Sequence, residues 1–173
     1  DEIKRAIELG LDEICFTEHV DHGVKTDLNC NYSEYLKEFK RCNEIYKDKI
    51  TLKFGIEFGI QSHTINQFQK DFNENEFDFV ILSCHQVEDK EFWTQDFQRG
   101  KTQKEYNEKY YEEILKVISN YKDYSVLGHL AAARRRLSSD WIRATPPIRY
   151  FTLLEKQVAP LPNGCVRFES GNT

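Results

Sequence analysis

No stretch of this 173-residue chain approaches the roughly 18 consecutive apolar residues that a membrane-spanning helix needs. The opening Asp1-Glu2-Ile3-Lys4-Arg5 has no apolar segment behind it, so a secretory leader is not expected there and the expected compartment is the cytoplasm. There is no CxxC pair. The cysteines, Cys15, Cys30, Cys42, Cys84 and Cys165, are odd in number, which speaks against a disulfide framework or a cysteine zinc knuckle. Cys15, Cys84 and Cys165 lie in apolar runs and are expected to be buried thiols. Neither a Walker loop, a GxGxxG turn nor a Ser-His-Asp order occurs, which removes the usual nucleotide-binding and serine-hydrolase readings. A basic excess is missing too. The net charge of −5 argues against a phosphate-backbone partner, whereas a few local cations suffice for one small phosphorylated molecule. Proline is absent before Pro146, and a compositional break falls after Leu130, where Ala131 to Arg136 read Ala-Ala-Ala-Arg-Arg-Arg.

What is present is an alternation of strand and helix. Ile3, Ala6 and Ile7 share a helical face that Gly10 closes, and Glu13 to Phe16 reads as a short strand. Asn31 with Glu34 forms a capping-box pattern ahead of Leu36, Phe39 and Tyr46, which keep helical spacing. Leu52 to Phe58 reads as a strand, and Ile65, Phe68 and Phe72 mark a short helix. Phe79-Val80-Ile81-Leu82 is the kind of apolar run that a strand buried on both faces shows. Thr102 and Glu105 make a second capping box before the stripe Tyr106, Tyr110, Ile114 and Val117, and Tyr124 to Leu127 is a further strand. A helix over Ile148 to Val158 and a strand over Val166 to Phe168 complete the pattern. Strands separated by crossover helices imply a parallel sheet in a single domain, an α/β fold.

The strand ends carry the chemistry. Glu18 and His19, Glu57, His85 and His129 close successive strands, and each is a competent metal ligand. In parallel α/β folds these ends meet on one face, where active sites are built. Imidazole nitrogen with carboxylate oxygen suits Zn, Fe or Mn better than Ca or Mg. Glu57, flanked by Ile56 and Phe58, must find a cation or donors if it is buried. A multinuclear centre of this kind can activate a water and neutralise phosphoryl oxygens. His22 and His63 fall in loops and are expected to be ordinary polar groups.

Gly10-Leu11-Asp12-Glu13-Ile14-Cys15-Phe16-Thr17-Glu18-His19, Gly55-Ile56-Glu57-Phe58-Gly59, Phe79 to His85 and Val126-Leu127-Gly128-His129-Leu130 resemble, in order and spacing, the polymerase-and-histidinol-phosphatase (PHP) superfamily, its histidinol-phosphatase branch above all. The resemblance runs from about residue 1 to 136 and implies a distorted seven-stranded (β/α) TIM-like barrel, present here in part. It also implies a trinuclear metal centre and hydrolysis of L-histidinol phosphate in histidine biosynthesis. Carried over, His19, Glu57, His85 and His129 match metal ligands, with Glu57 bridging and, together with His85, serving catalysis. Arg134 or Arg135 matches a basic pair that would hold the substrate phosphate, a task that a guanidinium fork suits.

The family's opening His-x-His strand and closing Asp-x-His pair have no counterpart in these residues, and 131–173 diverge. The expectation is therefore a partial domain over 1–173 with impaired activity. The competing readings are a non-catalytic metal-binding or structural remnant, and a superfamily phosphoesterase with another substrate. The expected partner is a small phosphorylated substrate, with neither nucleic acid nor membrane.

Overall fold

The computed structural model describes residues 2–24 and 29–128. Helix α1 (Glu2–Glu8) leads into β1 (Glu13–Asp21), then α2 (Tyr32–Tyr46), β2 (Thr51–Gly59), α3 (Ile65–Glu74) and β3 (Phe79–Ser83). A small hairpin, β4 (Gln86–Val87) and β5 (Lys90–Glu91), precedes α4 (Gln103–Asn120) and β6 (Val126–Leu127). The helix and strand expected after Ile148, together with His129, Arg134, Arg135 and Cys165, lie outside the described residues.

The main sheet is four-stranded in the order β1-β2-β3-β6, and every pairing in it is parallel. Each new strand joins the same edge as the last. A doubly wound sheet reverses that order at a switch point; an uninterrupted order is how a (β/α) barrel is laid down. The chain is thus α/β, an arc of a TIM-like barrel.

Helix ends follow local chemistry. The Asn31 side chain accepts from the Ser33 and Glu34 amides at the start of α2. Thr102 and Glu105 close a reciprocal capping box at α4, satisfying donors that a helix start leaves open. Gly10, at φ 72°, supplies the left-handed residue that turns the chain out of α1.

Alternation along the strands separates two faces. On β2, Leu52, Phe54, Ile56 and Phe58 face the helices: Phe54 packs on Tyr35 and Phe39 of α2, and Phe58 packs on Phe68 of α3. One core cluster gathers Ile3, Ala6, Ile50 and Leu52 between α1, α2 and the sheet; the larger one runs from Val20 through Phe58 and Leu82 to Ile114 and Tyr121.

Three local expectations change. Strand β1 continues to Asp21, five residues beyond Phe16, because β2 pairs with it in unbroken register from Glu13↔Thr51 to Asp21↔Gly59. Strand β3 is not buried on both faces: Val80 and Leu82 are buried against the helices, while Phe79 and Ile81 are only half-buried on the other face. Cys84 is buried as expected, but Cys15 is half-buried because β1 lies at an edge of the described sheet.

Candidate metal centre

The sheet register brings the site together. His19 on β1 is the direct partner of Glu57 on β2, which is itself the partner of Ile81 on β3. One step further, Asp21, Gly59 and Ser83 form the next row. Side chains in both rows point away from the helices, into the concave side of the arc. Glu18, one residue off this period, belongs to the opposite face and is exposed. It is excluded as a partner of Glu57 by strand alternation alone.

Glu57 is 4% exposed. Its Oε2 faces His19 Nε2 at 3.1 Å and its Oε1 faces His85 Nε2 at 3.0 Å. The Ser83 hydroxyl donates to the same Oε1 at 2.7 Å. His85 follows β3 directly, and its Nδ1 lies 2.9 Å from Asp21 Oδ1. The two imidazole rings are 5.7 Å apart. His19, Glu57 and His85 each offer a ligand atom, and these atoms all lie within 4.8 Å of one another.

Glycine makes the row possible. A Cβ at Gly59 would overlap the Asp21 carboxylate and lie 2.6 Å from His85 Nδ1. Gly128 plays a similar part beside β3, since a Cβ there would press on Ser83 Oγ and on Ile81.

The electrostatics are those of a site built around positive charge. Burial pulls His85 down, but hydrogen bonds to Asp21 and Glu57 outweigh it and push the imidazole up to about 9. Its hydrogen bond to Glu57 raises His19 as well. A buried carboxylate with an imidazole nitrogen on each oxygen is an N/O donor set that a Zn, Fe or Mn ion fits, and metal and proton would compete for the same nitrogens.

The structure brings together His19, Glu57 and His85; His129, Arg134 and Arg135 are not among the described residues. His22 and His63 stand apart, each with its own carboxylate, His22 on Asp71 at 2.7 Å and His63 on Asp89 at 3.1 Å. Asp21 and Ser83 are polar members of the site that were not expected from the sequence. A period of two was the available signal: Asp21 is two residues beyond His19, and Ser83 two before His85.

Fold and site together define the class: a parallel α/β barrel arc with a candidate His-Glu-His metal centre at the C-terminal ends of adjacent strands. The family model of the PHP domain matches residues 1–153, and the chain belongs to that family.

Among known proteins it is similar to the histidinol-phosphatase of Lactococcus lactis subsp. lactis (strain IL1403), with 36% identity over 130 residues, 74% of this chain and 48% of the relative. A protein of Clostridium acetobutylicum named "Probable histidinol-phosphatase" is 27% identical over 134 residues, 74% of this chain and 50% of the relative. The crystal structure of the Lactococcus lactis histidinol phosphate phosphatase complexed with zinc, L-histidinol and phosphate superposes with a TM-score of 0.74 at 35% identity, covering 80% of this chain and 54% of that one. The chain spans about half the length of the curated relatives it matches.

Proposed function

We propose that this chain is part of a metal-dependent phosphomonoesterase acting on L-histidinol phosphate, with His19, Glu57, His85 and His129 as metal ligands. The observation that carries it is the gathering of the His19, Glu57 and His85 donor atoms within 4.8 Å around a buried carboxylate. Support for the substrate comes from the relatives, one of them solved with zinc, L-histidinol and phosphate.

Divalent metal bound here would supply an activated water and neutralise charge on the phosphoryl oxygens. The chain's own residues do the rest. Glu57 offers one oxygen toward each histidine, which suits it to bridging two ions. Ser83 holds the Glu57 carboxylate in place through Oε1. Because His85 and Glu57 are withdrawn from solvent, their interactions with a doubly charged phosphate ester are screened less than they would be in water. In the same reading Arg134 or Arg135 holds the phosphate of the substrate, and the cytoplasm is the compartment. No helix of the described residues is long and apolar enough to cross a membrane.

Phosphate release from L-histidinol phosphate by the full-length protein, with zinc or manganese supplied, tests this. Hydrolysis is expected, is expected to stop on chelation, and is expected to fall by at least about a hundredfold in Glu57→Gln, which keeps the side-chain shape and removes the charge. Undiminished hydrolysis by that variant would overturn the site. Hydrolysis of other phosphomonoesters but not of this one would overturn the substrate. A metal-loaded protein with neither activity would leave the non-catalytic remnant as the correct account.

A further inference from the structure

Asp21 has no place in the ligand set, yet the structure is arranged around its carboxylate. Its Oδ1 lies 2.9 Å from His85 Nδ1, on the side of the ring opposite the Nε2 that faces Glu57 at 3.0 Å. Gly59, its register partner, leaves the space the carboxylate fills. Asn29 clamps the Asp21 backbone at two points, accepting from its amide at 2.7 Å and donating to its carbonyl at 2.9 Å. The Asp21 and His85 side chains are 17% and 11% exposed, so the contact is largely shielded from water.

We propose that Asp21 is a positioning residue of the metal centre, which accepts the Nδ1 proton of His85 and thereby reserves Nε2 of that ring for the ion. This rests on the reading of His85 as a ligand. With an ion taken up on Nε2 in place of the Glu57 contact, a neutral His85 keeps its one hydrogen on Nδ1, where the Asp21 carboxylate lies in position to accept it. A neutral imidazole then has its lone pair on Nε2, the nitrogen beside Glu57. Hydrogen-bonded carboxylates of this kind fix the tautomer and the ring orientation of metal-bound histidines and raise their basicity. The arrangement also accounts for two carboxylates, Asp21 and Glu57, on one buried ring.

The test is a zinc titration of the full chain, stripped of metal by chelation, against a competing chromophoric chelator. Wild type, Asp21→Ala and Asp21→Asn are compared, and nitrogen NMR of the His85 ring is recorded in the zinc-bound wild type. Zinc affinity is expected to fall by about 10–100-fold in Asp21→Ala and by less than about tenfold in Asp21→Asn, whose amide oxygen still accepts a hydrogen bond. The zinc-bound ring is expected to carry its proton on Nδ1.

A proton on Nε2 would overturn the proposal without recourse to any variant, even if Asp21→Ala fails to fold. Equal zinc affinity in wild type and Asp21→Ala, with a lower melting temperature of the metal-free variant, would make the pair a purely structural one and overturn it too. Wild type that takes up no zinc would instead overturn the metal reading on which it rests.

Discussion

At the scale of single residues, the concave face of the arc is set by what each strand omits as much as by what it carries. Gly55 and Gly59 sit on β2 at the same parity as Glu57, and both are places where a side chain has no room. A Cβ at Gly55 would meet Cys15 Sγ at 2.7 Å, the Phe16 carbonyl at 2.8 Å and the Phe79 carbonyl at 3.0 Å, contacts with backbone on both sides. Gly55→Ala is therefore expected to destabilise the fold by about 1–3 kcal/mol, read as a lower urea midpoint with unchanged slope. Gly55 lies two residues from Glu57, and the three atoms nearest a Cβ there belong to Cys15, Phe16 and Phe79, none of them a candidate ligand. Lost stability without lost metal affinity, once refolded, is the expected pattern. Three candidate ligand positions that the structure brings together, His19, Glu57 and His85, were legible from residue type and strand position. Asp21 was not, because the strand was expected to close before it; only the register against β2 carries β1 that far.

At the scale of elements, helices and central strands follow from local pattern, and the β4–β5 hairpin does not. Its two-residue turn, Glu88-Asp89, has φ 55° and 56°, left-handed values for which hairpins usually recruit Gly or Asn. No such residue is present to signal it. The conformation is held from outside: Gln61 Oε1 accepts from the Asp89 amide at 2.9 Å, and Asp89 Oδ1 accepts from Gln61 Nε2 at 2.8 Å. Gln61 Nε2 also reaches Gln86 Oε1 at 3.1 Å, so one buried glutamine ties the first strand of the hairpin and its turn to the loop after β2.

Glu88 takes no part in that network; its carboxylate meets Lys109 and Lys90 at the surface. Exposed pairs of this type contribute little. Glu88→Gly is expected to stabilise the protein by about 0.5–1 kcal/mol, because relief of the left-handed backbone outweighs the lost ion pairs. A decrease in thermal midpoint would show that the ion pairs with Lys109 and Lys90 hold the hairpin instead. The capping box at Thr102 and Glu105, in contrast, was readable from four consecutive residues, since a helix start is a local event.

At the scale of the whole molecule, sheet and metal centre are expected to be thermodynamically linked. His19, Glu57 and His85 come from β1, from β2 and from the segment after β3, so an ion held by them joins three parts of the chain that separate on unfolding. Anything that binds only the folded state stabilises it by mass action, about 2.7 kcal/mol at a hundred times the dissociation constant. The melting temperature is expected to rise with zinc concentration and to return on chelation. A melting curve indifferent to both would mean that these residues hold no ion.

By itself the sequence determined the alternation of strand and helix, the helix caps, the α/β class and the ligand types at successive strand ends. Periodicity and capping act over three or four residues, and a histidine or glutamate declares its chemistry wherever it stands. Tertiary structure alone decided the length of β1, the His19–Glu57 register, the fit of the Asp21 carboxylate over Gly59, and the strained turn pinned by Gln61. Each of these depends on atoms brought together from 25 or more positions apart, such as Gln61 and Asp89, 28 positions apart, and such contacts leave no pattern within a short window of sequence.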